Sequence, residues 1–139
     1  MGRKDARRVK NINGMEQLML DIKPSRADSD VFLKQDYDVT KLVNFVDKAK
    51  KEGKEYTYFH AFVTAIAKTI YNRPKLNRFI ANRHVYEHND VVISFVAKVS
   101  FEDQAEEVML LIPIEVDDNI ESICEKIKTK VKNIREKKV

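Results

Sequence analysis

A helical pattern over residues 59–70 constrains the fold of this chain more than any other feature of the sequence. Apolar residues recur there at intervals of three and four, which places them on one face of an α-helix. They are Phe59, Phe62, Val63, Ile66, Ala67 and Ile70. Ala61 and Ala65 make the opposite face small as well, and Pro74, before which a helix usually ends, follows. We therefore expect a helix that packs on more than one side.

Two strand patterns follow this helix. In residues 91–100 one face is apolar, as expected for a strand that covers a core. That face consists of Val91, Ile93, Phe95, Ala97 and Val99. Residues 108–114 are apolar on both faces, which predicts a central strand that is covered on both sides, at least as far as Pro113. Shorter strand patterns, at residues 79–81 and 85–86, precede a turn at Asn89-Asp90.

The first part of the chain contains further alternations of helix and strand. Residues 31–37 alternate in a way that suits a strand. Asp38, Val39 and Thr40 follow, and we expect them to supply capping oxygens for a helix that Gly53 closes. The apolar face of that helix consists of Leu42, Val43, Val46 and Ala49. A short helical cluster of Met15, Leu18, Met19 and Ile22 comes earlier and ends at Pro24.

The last predicted helix has a start that resembles a capping box, at residues 117–121. Its apolar face consists of Ile120, Ile123, Cys124, Ile127, Val131 and Ile134. Because helices and strands interleave along the chain, the pattern indicates an α/β domain.

Length and composition agree with one soluble domain. The 139 residues are 43% hydrophobic and 35% charged, which suits a single core. We expect a loose basic segment at residues 1–12 and a domain at residues 13–139. There is no apolar run of the roughly 20 residues that span a bilayer, and no signal-peptide core follows the N-terminus, so we expect a cytoplasmic protein without membrane contact. Cys124 is the only cysteine, which excludes an intrachain disulfide.

The net charge of +4 is concentrated at the two ends of the chain. Residues 1–10 carry five basic side chains against Asp5, and residues 126–138 carry seven against Glu136. Basic ends of this kind can attract phosphate-rich partners, but they are more often solvated surfaces. We therefore do not expect nucleic-acid binding, which stays a third and minor hypothesis.

The residues themselves do not predict a catalytic or metal site. His60 borders the apolar face of the helix at residues 59–70, where burial could shift its pKa, and is only a weak catalytic candidate, because a structural role is favoured. His84 and His88 lie in a strand pattern, which would separate them by about 13 Å at roughly 3.3 Å per residue, so we expect no metal. Cys124 is expected to be a buried thiol. Asp36, Asp38 and the acidic residues of 102–107 are not placed as an opposed pair, and there is no glycine-rich phosphate loop.

Five stretches, taken in order, resemble a known family. They are residues 31–42, residues 58–70, residues 73–77, residues 90–97, and residues 110–114 with 117–127. The first contains Asp-Val-Thr-Lys-Leu, the third Pro-Lys-Leu-Asn and the last Leu-Leu-Ile-Pro-Ile. These motifs are similar to those of the coenzyme A-dependent acyltransferase superfamily, which includes chloramphenicol acetyltransferase and the lipoyl acyltransferases of 2-oxoacid dehydrogenase complexes. The resemblance covers about residues 30–135.

This resemblance implies a fold and an activity. The fold would be the two-layer α+β sandwich of chloramphenicol acetyltransferase, incomplete at the C-terminus. The activity would be acyl transfer between acyl-coenzyme A and a dihydrolipoamide-type or hydroxyl acceptor, with coenzyme A as the cofactor, in a trimer whose active sites lie between subunits. The family's general base is the histidine of a His-x-x-x-Asp-Gly motif. No Asp-Gly dipeptide occurs in these residues, so none of the three histidines matches the motif, and we expect a truncated chain that is inactive alone.

The same resemblance leads to an expectation about partners. A partial sheet with uncovered apolar faces tends to associate. We therefore expect a homo-oligomer, by resemblance a trimer, or pairing with a complementary polypeptide. The alternative is a non-catalytic assembly module that binds a partner or acyl-coenzyme A.

Overall fold

The computed structural model describes residues 3–23 and 25–136, which form two compact units. The first unit takes in Met1–Asp38 and Pro74–Asn89, and the second Val39–Arg73 and Asp90–Val139. Within the described residues the elements are β1 (Ala6–Arg8), α1 (Gly14–Ile22), α2 (Thr40–Lys51), α3 (Tyr58–Asn72), β2 (Arg78–Ala81), β3 (His84–His88), β4 (Val91–Lys98), β5 (Glu107–Ile114) and α4 (Ile120–Glu136), with single 3-10 turns at Ala27–Ser29 and Pro74–Asn77.

The first unit contains a three-stranded antiparallel sheet in the order β1-β3-β2. Asn82 and Arg83 connect β2 to β3 and both have positive φ angles, of 49° and 59°, as in the tight turns that match the twist of a hairpin. β1 lies in the basic segment of residues 1–12, and it pairs with β3 so that Ala6 faces His88 and Arg8 faces Tyr86. The domain boundary after residue 12 stays a prediction.

α1 begins where the sequence provides a cap. The side chain of Asn13 accepts a hydrogen bond from the Glu16 backbone N–H at 2.8 Å, which satisfies one of the free donors of the first turn. The helical spacing predicted for this segment is confirmed. Its buried residue is Leu20, however, while Met15 and Ile22 are exposed. Pro24 lies outside the described residues.

The strand predicted at residues 31–37 is wrong. The segment has no regular secondary structure, and its apolar side chains are almost fully exposed, Phe32 by 95%. A strand needs a neighbouring strand for its backbone hydrogen bonds, and this alternating pattern has no such neighbour in the structure. The alternating pattern therefore indicates strand propensity, but residues 31–37 do not form a strand.

In the second unit the predicted helices are present. The residue before α2 is Val39, which has no side-chain oxygen and makes no capping hydrogen bond, so the expected capping oxygens of Asp38-Val39-Thr40 stay a prediction for Asp38 and Thr40. The backbone of Val39 is not extended (φ −99°, ψ 10°), unlike that of most N-cap residues. Gly53 closes the helix with a φ of +79°, as predicted.

The core of the second unit lies between α3, α4 and one face of the two-stranded antiparallel β4–β5 sheet. Buried side chains from all four elements meet there, and they are Val63, Ala67, Val91, Ile112, Ile114, Ile123 and Ile127. The Tyr71 hydroxyl of α3 donates to the Ile114 carbonyl of β5 at 2.6 Å. The unit is thus a layer of helices on a layer of sheet, and the predicted mixture of helices and strands is confirmed.

The prediction that residues 108–114 form a central strand covered on both sides is wrong. The strand exists, but β5 pairs only with β4 in the described structure, and its residues alternate between buried and exposed. One face meets the helices and the other meets solvent. The helix α3 contacts α2, α4 and β4, while Phe62 and Ile66 stay half exposed, so it packs against several elements and leaves one side open. No helix in the described ranges combines the length and apolarity needed to cross a bilayer.

Candidate functional site

His60 lies in the first turn of α3, where it completes a capping box. Its ring Nδ1 accepts a hydrogen bond from the Thr57 backbone N–H at 3.1 Å, and the His60 backbone N–H donates to Thr57 Oγ1 at 3.4 Å. The side chain is buried, and this burial, together with the charge of Lys128, lowers its pKa from the ordinary value of 6.5. His60, the weak candidate from the sequence, is therefore a neutral imidazole whose Nδ1 is already hydrogen-bonded to the backbone.

Cys124 occupies the buried face of α4, as the sequence predicts. It packs with Ala49 of α2 and with Tyr56, and its thiol lies 3.9 Å from the Glu55 carbonyl oxygen. Burial raises the pKa of the thiol. The neighbouring Lys128 is bound to the Glu55 carboxylate at 2.6 Å. A thiol with a raised pKa is a poor nucleophile, so we assign Cys124 a structural role in the packing of α4 against Ala49 and Tyr56.

His84 and His88 both belong to β3, which confirms the strand predicted around them. Arg8 lies 3.2 Å from His84 Nδ1, and since arginine can only donate, that nitrogen accepts. The ring of His88 packs against Phe79, with 4.5 Å between centroids. Among residues 3–23 and 25–136, no group of three or more His, Cys, Asp or Glu side chains is arranged to hold a metal ion.

Asp118 is the carboxylate that the structure singles out and the sequence did not. It is buried before α4, and it accepts hydrogen bonds from Ser122 Oγ and the Glu115 backbone N–H, both at 2.7 Å, and from Lys126. Burial alone would raise the pKa of Asp118, but the hydrogen bonds outweigh it and the pKa is lowered. With its oxygens engaged in this way, the carboxylate holds the start of α4 in place. The sequence signal was the polar run before the helix.

The feature with no structural role inside the unit is the outer face of the β4–β5 sheet. We use this name for the eight side chains that point away from α3 and α4. In cross-strand pairs they are Val92 with Pro113, Ser94 with Leu111, Val96 with Met109, and Lys98 with Glu107. The four large apolar members, Val92, Val96, Met109 and Leu111, are 46–67% exposed. Contiguous apolar surface of this kind often marks an interaction site.

The backbone geometry makes the outer face continuous. Beyond the paired strands, the Val99 N–H donates to the Glu106 carbonyl at 3.0 Å, and because antiparallel ladders alternate, the outer-face pairs are the non-hydrogen-bonded ones. Side chains in such pairs approach most closely, with Cα atoms about 4.5 Å apart. The carbonyl of Pro113 accordingly points away from β4, and it accepts a hydrogen bond from Lys126 of α4 at 3.3 Å. The apolar side chains of the outer face therefore form one stripe.

Of the residues considered from the sequence, only the doubly apolar strand leads to this surface. The doubly apolar pattern of residues 108–114 predicts burial of both faces, whereas in the structure one face is exposed. His84 and His88 belong to the first unit and His60 and Cys124 to the second, and each has its own partners, as described above. No protein-family model, no curated protein and no solved structure matches the chain.

Proposed function

We propose that this chain is a scaffold chain of the coenzyme A-dependent acyltransferase superfamily, with that family's sandwich fold, and that it assembles with a second copy of itself through the outer face of the β4–β5 sheet. The observation that carries the proposal is the exposure of four large apolar side chains on one regular, paired surface. Covering such a surface removes apolar area from water at about 25 cal/mol per Å². This provides the driving force for association.

The chemistry of the described residues supports a scaffold role. A general base needs a nitrogen lone pair within hydrogen-bond reach of its substrate. His60 Nδ1 accepts from the Thr57 N–H, so the proton of the neutral ring is on Nε2, and neither nitrogen has a lone pair to offer. The sequence has no Asp-Gly dipeptide for any histidine to precede. Acyl-coenzyme A, if it binds, would be held without turnover by this chain alone.

A second copy is the partner that the face suits best. At one end Lys98 of β4 lies opposite Glu107 of β5, so the face carries no net charge and two identical faces do not repel each other. Its remaining members are uncharged, as in the centre of a stable interface. Closed homo-oligomers are also the commonest assemblies of soluble proteins, and two-fold dimers are the most frequent of them. A face that meets its own copy gives such a dimer rather than the trimer expected from the resemblance.

Light scattering coupled to size-exclusion chromatography tests the assembly. Met109 on the outer face and Val116, which follows β5, are both 67% exposed, so Met109→Lys and Val116→Lys add one charge at equal exposure. We expect the wild type and Val116→Lys to be oligomeric at micromolar concentration and Met109→Lys to shift towards the monomer. A monomeric wild type, or equal behaviour of the two variants, would contradict the proposal.

An enzymatic assay tests the second half of the proposal. Acetyl transfer from acetyl-coenzyme A to dihydrolipoamide or to chloramphenicol should stay at background for this chain alone. Robust turnover would show that a group among these residues acts as a base, and the scaffold role would then be rejected even if the oligomer were found.

A further inference from the structure

A pocket of about 280 Å³ lies in the first unit, beside the β1–β3–β2 sheet. Four of its lining residues carry hydrogen-bond donors, and they are Arg8, Lys10, Gln17 and His84. Three apolar residues complete the wall, and no carboxylate lines it. A concave site with donors and without acceptor charges is suited to an anion.

The cations of this pocket differ from their neighbours in their partners. Arg7 and Arg78 both bind the Glu87 carboxylate, at 2.6 and 2.9 Å, and Arg3 binds Asp5. Arg8 and Lys10 form no ion pair with any carboxylate in residues 3–23 and 25–136. The positive charge of the pocket is therefore not neutralised within the part of the chain that the structure describes.

Arg8 is held by paired backbone. Arg8 ends β1 opposite Tyr86 of β3, and the next residue, Val9, donates its N–H to the Val85 carbonyl at 2.9 Å. The guanidinium of Arg8 is further oriented by its hydrogen bond to His84 Nδ1. A donor that is positioned before binding loses less conformational entropy when a ligand arrives.

We propose that this pocket binds the phosphate or diphosphate group of a small phosphorylated molecule. The planar guanidinium of Arg8 can donate two parallel hydrogen bonds to phosphate oxygens, and Lys10 adds a point charge. The volume lies just below the range of roughly 300–1,000 Å³ for sites that enclose a whole drug-sized ligand, which favours recognition of the charged group rather than of the entire molecule.

Titration of the full chain with inorganic pyrophosphate, followed by calorimetry at low ionic strength, tests this site. Arg8→Gln and Lys10→Gln each remove one charge from the pocket, and Arg7→Gln removes the same charge from a neighbouring residue that does not line the pocket and that binds Glu87. We expect saturable one-to-one binding to the wild type, a loss of about tenfold for Arg8→Gln or Lys10→Gln, as for one charge-assisted hydrogen bond, and less than about a twofold change for Arg7→Gln.

Two outcomes would overturn the proposal. They are an absence of saturable pyrophosphate binding to the wild type and an equal loss in the Arg7 and Arg8 variants. Circular dichroism of each variant checks the fold, and Lys10→Gln, which breaks no hydrogen bond of the described structure, serves if Arg8→Gln is perturbed. Because the readout is pyrophosphate binding, failure here is independent of association through the β4–β5 sheet and of acyl transfer.

Discussion

Ile112 and Leu111 are neighbours on β5, and truncation of each to alanine should depend differently on protein concentration. Ile112 is completely buried between the sheet and the helices, while Leu111 is 55% exposed on the outer face. Removing a buried isoleucine side chain costs about 2–5 kcal/mol, because it loses transfer free energy and leaves a cavity. Full burial of a leucine stabilises by about 1.5–3 kcal/mol, so with less than half of Leu111 buried its truncation should cost under about 1 kcal/mol in the monomer.

Urea unfolding followed by circular dichroism, at a low and a much higher protein concentration, measures these costs. Ile112→Ala should lower the free energy of unfolding at both concentrations. Leu111→Ala should act mainly at the higher concentration, because there the folded chain is stabilised by association. Equal costs at the low concentration would refute the assignment of an inner and an outer face to β5.

Three further predictions concern groups whose roles are structural. Burial lowers the pKa of His60 from 6.5, so its contribution to stability is present above pH 6.5 and is lost as pH falls towards the lower pKa of the folded state. Urea midpoints measured between about pH 5 and 8 should therefore fall with pH. His60→Gln, which can keep the capping box, should reduce this dependence on pH. Cys124 is 1% exposed with a raised thiol pKa, so an aromatic disulfide reagent should react only when the protein unfolds; rapid reaction of the native chain would contradict this burial. Gly53→Ala should lower the free energy of unfolding by about 1 kcal/mol in thermal or urea unfolding, because φ at this position is +79°. Gly14→Ala should leave it unchanged, because Gly14 has open space around it and no positive φ. Equal effects of the two substitutions would argue against the left-handed turn at Gly53.

Local patterns predicted the helices well because their signals are local. The three- and four-residue spacing located α3, and the Asn119 side chain caps α4 by accepting from the Glu121 and Ser122 backbone N–H groups, within the start predicted at residues 117–121. The alternation at residues 91–100 identified the inner face of β4. In each case the information needed lies within one or two turns of chain.

What the sequence could not predict depends on contacts that are distant in the chain. A strand that is apolar on both faces can be central or can have one face open, and only the number of neighbouring strands decides between them. The strand predicted at residues 31–37 failed for the same reason. The pocket that we propose to bind phosphate could not be predicted from the sequence either. Arg7 and Arg8 are adjacent residues of the same type, and Arg7 differs in its pairing with Glu87, 80 residues away.

Site-specific photo-crosslinking from the outer face tests the central claim most directly. A photoreactive amino acid at Met109 should join two copies of the chain, and the crosslinked peptide should come from β4 or β5 of the second copy. The same group at Lys132, an exposed position on α4, should give no such product. Crosslinks that form equally from Lys132, or only monomers from Met109 at micromolar concentration, would contradict assembly through this face.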